Sequence, residues 1–206
     1  IEELESIDVS HLIRKAECFE HLTLYANAKK LYRKAISLDL ENPDAWFGIG
    51  LCLVEELKYS QSLYFLKNAY KYGKNEDSQY GLALATANIA VGLFDEAIEV
   101  YETMVRVFPE EYEIWLDYST VYSEKQDLNN AIEVLELALF YLPENHQALY
   151  RLAAIHLKRK EISLARNYLK KALELNYQDH KLLYIFEPEF KANQTLQTLI
   201  KELKNK

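Results

Sequence analysis

Residues 97–138 read AIEVYETMVRVFPEEYEIWLDYSTVYSEKQDLNNAIEVLELA, and this stretch decides the fold. It opens with Ala97, Tyr101 and Met104 and closes with Ala131, Leu135 and Ala138, the same small–large–small triplet 34 residues later. Offsets of zero, four and seven place each triplet on one stripe of an α-helix. Between the triplets, Trp115, Tyr118, Ser119 and Tyr122 form a second helical stripe, and Pro109 suits the exit from the first helix. Working outward, the first triplet position recurs at Ala28, Ser62, Ala97, Ala131 and Ala165, with spacings of 34, 35, 34 and 34. The other two positions follow as Tyr32, Leu66, Tyr101, Leu135 and Leu169, and as Ala35, Ala69, Met104, Ala138 and Ala172. The partner stripe returns as Trp46, Ile49, Gly50 and Leu53, and as Leu149, Leu152, Ala153 and His156. Each unit is therefore a helix pair. Tyr25, Tyr59, Phe94, Leu128 and Ile162 lie between the paired helices, while Pro43 and Pro143 punctuate successive units.

Composition agrees with an all-α chain that buries a real core. Half of the 206 residues are hydrophobic, and only five Gly and four Pro are present, too few for the turns of a β-sandwich or for Gly-rich phosphate loops. The 24 Lys and Arg against 32 Asp and Glu give a net charge of −8, which disfavours nucleic acid and points to protein partners. No apolar run reaches bilayer-spanning length, and no signal-peptide pattern opens the chain, so the default expectation is a cytoplasmic protein with no membrane span. Cys18 and Cys52 are too few for a disulfide scaffold.

The period and the residues quoted, above all W-x2-I-G at Trp46 to Gly50 and the series Ala97, Tyr101 and Pro109, resemble the tetratricopeptide repeat over roughly residues 10–186. The resemblance implies a right-handed α-solenoid of antiparallel helix pairs, a superhelix with repeats at 10–43, 44–76, 77–111, 112–145 and 146–179. Residues 1–9 read as the remnant of a truncated upstream repeat, and 180–206 as an incomplete repeat ending in a capping helix with Leu196, Leu199, Ile200 and Leu203. Two departures stand out. Lys15 occupies a core-Leu position of the first repeat, and Gly81 replaces the large residue that Trp46 and Trp115 supply elsewhere. Either Tyr80 packs in place of that residue or the junction is loose.

The polar residues form no chemical constellation. His156 falls on a core stripe, His146 and His180 open first helices, and His11 and His21 lie too far apart for a helical metal site, so no metal ligand is assigned. Cys18 and Cys52 occupy one equivalent position 34 residues apart and read as small core residues. With no nucleophile, phosphate-loop or zinc motif, no catalytic residue and no cofactor is assigned, and the chain reads as a non-enzyme.

What the resemblance implies for binding is a concave groove lined by first helices. Its positions fall here on Phe47, Leu51 and Val54; on Leu82, Thr86 and Ile89; on Leu116, Thr120 and Ser123; on Tyr150, Ala154 and Leu157; and on Tyr184. Most are apolar where a solvated face would be polar, which points either to a contact surface or to packing of some of them between adjacent units. The Lys and Asn positions of a carboxylate clamp hold Ile13 and Glu17, Phe47 and Leu51, or Leu82 and Thr86, so capture of an acidic C-terminus is disfavoured. Arg151, Lys158 and Lys181 gather near the C-terminal end, where an acidic tip on an apolar peptide would fit. The expected function is a protein-interaction scaffold holding a partner protein or peptide in this groove. The alternatives are a groove filled by residues 187–206 or by a second copy in a homo-oligomer, and an accessory array of a larger enzyme or sensor whose chemistry lies upstream.

Overall fold

A computed structural model describes residues 8–204. The chain forms two compact units, residues 1–107 and 108–206. Of the anticipated repeat tail at residues 1–9, the first seven lie outside the described residues, and Asp8 and Val9 belong to the first helix as its cap and first residue. Unit 1 contains α1 (Val9–His21), α2 (Tyr25–Leu38), α3 (Pro43–Glu55), α4 (Tyr59–Gly73), α5 (Ser78–Ala90) and α6 (Phe94–Val107). Unit 2 contains α7 (Tyr112–Glu124), α8 (Leu128–Tyr141), α9 (His146–Lys158), α10 (Ile162–Leu175), α11 (Leu182–Phe186) and α12 (Gln194–Lys204), with short 3-10 turns at Tyr177–Lys181 and Pro188–Ala192. The helices pack as sequential antiparallel pairs. Among the described residues no helix is long and apolar enough to cross a membrane.

The turn inside each pair is built alike. Thr23, Leu57, Gly92, Gln126 and Lys160 all have positive φ, and they repeat with the same 34- and 35-residue spacing as the core triplet. In each turn the next residue's N–H reaches back to the carbonyl five residues earlier, as in Lys58 to Leu53 at 2.8 Å and Leu93 to Asn88 at 2.8 Å. This left-handed closure satisfies the last carbonyls of the first helix. Only one turn uses Gly. Helix starts are capped by side chains: Asn42 accepts from the Ala45 N–H, Asn145 from Ala148 and Asp127 from Asn130.

The triplet residues form the cores as the period requires. Ala28, Tyr32 and Ala35, then Ala97, Tyr101 and Met104, then Ala131, Leu135 and Ala138 are all buried. Each buried Leu of the series contributes about 1.5–3 kcal/mol through apolar burial. The two tryptophans do equivalent work: Trp46 Nε1 donates to the Leu40 carbonyl at 2.7 Å and Trp115 Nε1 to the Pro109 carbonyl at 2.9 Å, tying a first helix to the turn before it.

The structure chooses between the two readings at Gly81. Tyr80 is buried, its ring sits edge-on to Phe47 at 5.1 Å, and its hydroxyl donates to Asp44 Oδ1 at 2.6 Å. Met104 closes over Gly81 so tightly that a Cβ there would lie 2.4 Å from its sulfur. The junction is packed, by Tyr80 and Met104 together. Two expectations need correction or refinement in the first helix pair. Lys15 is exposed, and its core role passes to Leu12, Ile13 and Ala16. Cys52 is fully buried, with its thiol pKa pushed up to about 12 by burial, but Cys18 is exposed and is not a core residue. The two positions are equivalent in the repeat, but that face of a helix needs a preceding pair to bury it, and among the described elements α1 packs on α2 and α3, which follow it.

Candidate functional site

In unit 1, the proposed contact residues come from two first helices. Phe47, Leu51 and Val54 share one stripe of α3, and Leu82, Thr86 and Ile89 the matching stripe of α5. The two helices touch directly. Phe47, Leu51, Val54, Leu82 and Ile89 are half-buried, and Thr86 is exposed with its hydroxyl turned back to the Leu82 carbonyl at 2.8 Å. That hydroxyl is satisfied by its own helix, so the stripe presents carbon with no unmet donor behind it. Beneath Phe47, the Tyr80 ring and the close Gly73–Tyr80 approach hold the stripe in place: a Cβ on Gly73 would lie 2.3 Å from the Tyr80 ring. The result is an apolar strip two helices wide, with its support buried and its contact atoms in water.

Unit 2 treats the corresponding positions differently. Leu116 and Thr120 on α7 are half-buried, the Thr120 hydroxyl again donating to the Leu116 carbonyl at 2.8 Å. Tyr150 is fully buried, and its hydroxyl donates to the Asn176 carbonyl at 2.7 Å, so the expectation of Tyr150 as an open groove contact is corrected. Ala154 is buried as well, while Leu157 and Tyr184 pack partly covered against the cluster of Leu149, Tyr150, Leu183 and Phe190. The chain itself covers this end. After α11, Pro188 breaks the helix, and Phe186 and Glu187 come to rest against α9.

Of the three basic residues expected to receive an acidic tip, Arg151 and Lys158 are met from within, while Lys181 is exposed. The Arg151 guanidinium lies 4.7 Å above the centre of the Phe186 ring. Burial pulls its pKa down to about 10, opposed by the attraction of Asp117, Glu187 and Glu124. Lys158 donates to Glu187 Oε1 at 2.8 Å. Glu187 begins the segment 187–206 that the sequence offers as an alternative filling of the groove, whereas Phe186 reads there only as part of a sixth first helix. Pro188 was the available signal, because it stops the sixth first helix and turns the chain back.

Two histidines are held by carboxylates within the fold. His156 is buried, stacks on Tyr168 with ring planes 4° apart, and bonds through Nδ1 to Glu161 at 2.6 Å. His146 bonds to Asp179 at 2.7 Å.

Three tetratricopeptide repeat profiles match the chain, at residues 12–42, 79–121 and 120–180. No curated protein matches it in sequence. Solved structures of the same fold include MamA, 17% identical with a TM-score of 0.68 over 84% of this chain and 94% of that one. YrrB, described as a TPR protein with an unusual peptide-binding site, is 19% identical with a TM-score of 0.64 over 85% and 90% of the two chains. A thermophilic TPR protein of Thermus thermophilus is 19% identical with a TM-score of 0.53 over 87% and 97%.

Proposed function

The chain belongs to the tetratricopeptide repeat family, and on that premise we propose that it is a non-enzymatic scaffold that binds a partner protein segment on the apolar first-helix strip of unit 1. The observation that carries the reading is the repeated half-exposure of Phe47, Leu51, Val54, Leu82 and Ile89 over a buried support. A surface helix gains nothing in stability from apolar side chains left in water, whereas a partner that covers them gains their burial. Phe47 is the natural anchor, since a large ring held by an edge-on neighbour loses little freedom on binding. The peptide-binding site described for YrrB makes peptide capture the activity to test first.

A second reading applies to unit 2, where the chain serves as its own ligand. The Lys158–Glu187 bond, the Arg151–Phe186 contact and the buried Tyr150 favour self-capping over open binding at that end.

Site-specific photocrosslinking separates these readings. A benzophenone side chain at Val54 or Ile89 is expected to trap a partner from lysate of the source cell, and the trapped species should vanish in a Leu51→Lys, Leu82→Lys variant that keeps its circular dichroism spectrum. The same probe at Leu157 should trap nothing beyond the chain itself. Equal trapping from all three positions would sink the proposal.

A further inference from the structure

Unit 2 carries a second surface feature, made of residues that the first-helix strip does not use. An open recess of about 650 Å³ lies where the start of α7, the end of α8 and the turn into α9 meet, with Tyr112, Tyr141, Pro143, Glu144 and His146 in its wall. One wall is a stack of rings. Tyr141 lies on the buried Trp115 at 5.6 Å with planes 23° apart, and Phe140 meets Tyr141 edge-on at 5.3 Å. Trp115 is itself fixed by its bond to the Pro109 carbonyl, so the Tyr141 ring is held in position before any ligand arrives. Beside it, Phe140 is 76% exposed and Leu137 48% exposed, both on α8. Side chains this apolar contribute little to the fold from such positions.

The charge around the recess is one-sided. From Phe108 through Gln147 the chain has nine Asp and Glu and a single basic residue, Lys125. Glu144 is in the wall, Glu113 lies against the Tyr112 hydroxyl, and His146 faces the Asp179 carboxylate at 2.7 Å. No Lys or Arg lines the recess, and the nearest basic side chain of the neighbouring hollow across Pro143 is Lys171. The rest of unit 2 has the opposite balance, with twelve Lys and Arg against six Asp and Glu. Part of the acidity of residues 108–147 faces elsewhere, with Asp117 and Glu124 near Arg151, Asp127 capping α8 and Glu136 accepting from Tyr168. The carboxylates at or beside the recess are Glu144, Glu113 and, beyond His146, Asp179.

We propose that this recess is a docking site for a cationic segment of a partner protein, one that sets a Lys or Arg side chain beside an apolar one. The positive group would lie against the ring faces of Tyr141 and Tyr112, whose quadrupoles attract cations, with Glu144 and Glu113 supplying net charge. The apolar neighbour would cover Phe140 and Leu137. An acidic segment meets repulsion from the same carboxylates, so the surface discriminates by sign as well as by shape.

The test uses the full chain and two fluorescein-labelled peptides, one with lysines flanking a Phe-Leu pair and one with glutamates in place of the lysines, read by fluorescence anisotropy. The lysine peptide is expected to bind saturably, and the glutamate peptide not at all. A Glu113→Lys, Glu144→Lys variant is expected to weaken binding at least about tenfold, as is raising salt from about 0.05 to about 0.5 M. Phe140→Ser, a change at an exposed position, should weaken it several-fold with the melting temperature unchanged. The Leu51→Lys, Leu82→Lys variant should bind the peptide as the parent does, which keeps failure here separate from failure of the first-helix strip. Equal binding of both peptides, no saturable binding, or full affinity in the charge-reversed variant overturns the proposal. So does sedimentation showing self-association that the charge reversal abolishes, because the occupant would then be a second copy.

Discussion

Phe47 in unit 1 and Tyr150 in unit 2 hold the same place in the repeat, yet one is half-exposed and the other fully buried. Their helices are alike, each capped at its start by an Asn, at Asn42 and Asn145, and closed at its end by a residue with positive φ, Leu57 and Lys160. What differs is the element that follows. After α3 and α4 comes another full first helix, α5, which lies alongside and extends the strip; after α9 and α10 comes the five-residue α11, which ends at Phe186, two residues before Pro188, and lets Phe186 and Glu187 fold against α9. A repeat position thus specifies which way a side chain points, and its neighbour decides whether water reaches it. The same lesson applies to Cys18 and Cys52, where among the described residues the first helix pair has no preceding pair of the kind that buries the second.

The sharpest way to break the contrast is to remove what covers unit 2. Leu183→Ala, at a fully buried site in α11, should cost about 3 kcal/mol by chemical denaturation. Hydrogen exchange should quicken in α11 and α12 and leave α3 and α5 unchanged. If protection falls evenly in both units, the cap is not a local device.

Next in size is the hydroxyl that distinguishes the two equivalent rings. Tyr150→Phe leaves the Asn176 carbonyl without its donor and should cost about 1 kcal/mol, whereas Phe47→Tyr, with its new hydroxyl near solvent, should stay within about 0.5 kcal/mol of the parent. Equal costs would mean that the two positions are less different than their burial implies.

A pH-dependent contrast comes from Glu56, whose two carboxylate oxygens each accept from Lys29 at 2.7 Å. Hydrogen bonds from Lys29 and Lys58 hold its pKa below the usual carboxylate value of 4.5. The unfolded chain therefore takes up the proton first, so this contribution is complete above about pH 4.5 and is lost as pH falls through the lower folded value. Glu56→Gln should be less stable than the parent near neutrality by up to about 1 kcal/mol, with the gap closing in acid. Melting curves of both proteins from about pH 3 to about pH 7 would show it, and a gap that persists in acid would assign the effect to packing.

The smallest effect is expected to be equal in both units. A non-glycine residue in the left-handed region costs about 1–2 kcal/mol, and the extra freedom of glycine favours the unfolded state by about 0.5–1 kcal/mol. Leu57→Gly and Lys160→Gly should therefore each stabilise by about 0.5 kcal/mol, and unequal shifts in melting temperature would show that the repeated turn is not energetically repeated.

The helix pairs were legible because burial imposes a period on the sequence. Ala97, Tyr101 and Met104 and their counterparts announce a stripe that has no other physical use. The proposed contact strip of unit 1 came instead from the resemblance to the tetratricopeptide repeat, which implies which first-helix positions line a groove. The closed end of unit 2 was half legible: Pro188 predicts that a helix stops, but nothing local says that Glu187 will meet Lys158 or that Phe186 will lie under Arg151. The Trp115–Tyr141 stack was hidden as well, since its rings lie 26 positions apart on helices whose facing angle the sequence does not state.

By itself the sequence determined the all-α class, the 34-residue unit and the burial of the repeated triplet, because helical periodicity and the cost of exposing carbon are local and repetitive. Only the tertiary structure decided that Tyr80 and Met104 fill the place around Gly81, that Cys18 stays outside, and that Tyr150 is sealed while Phe47 is not. Those outcomes depend on which surfaces meet, and contact between distant segments is a property of the packed chain.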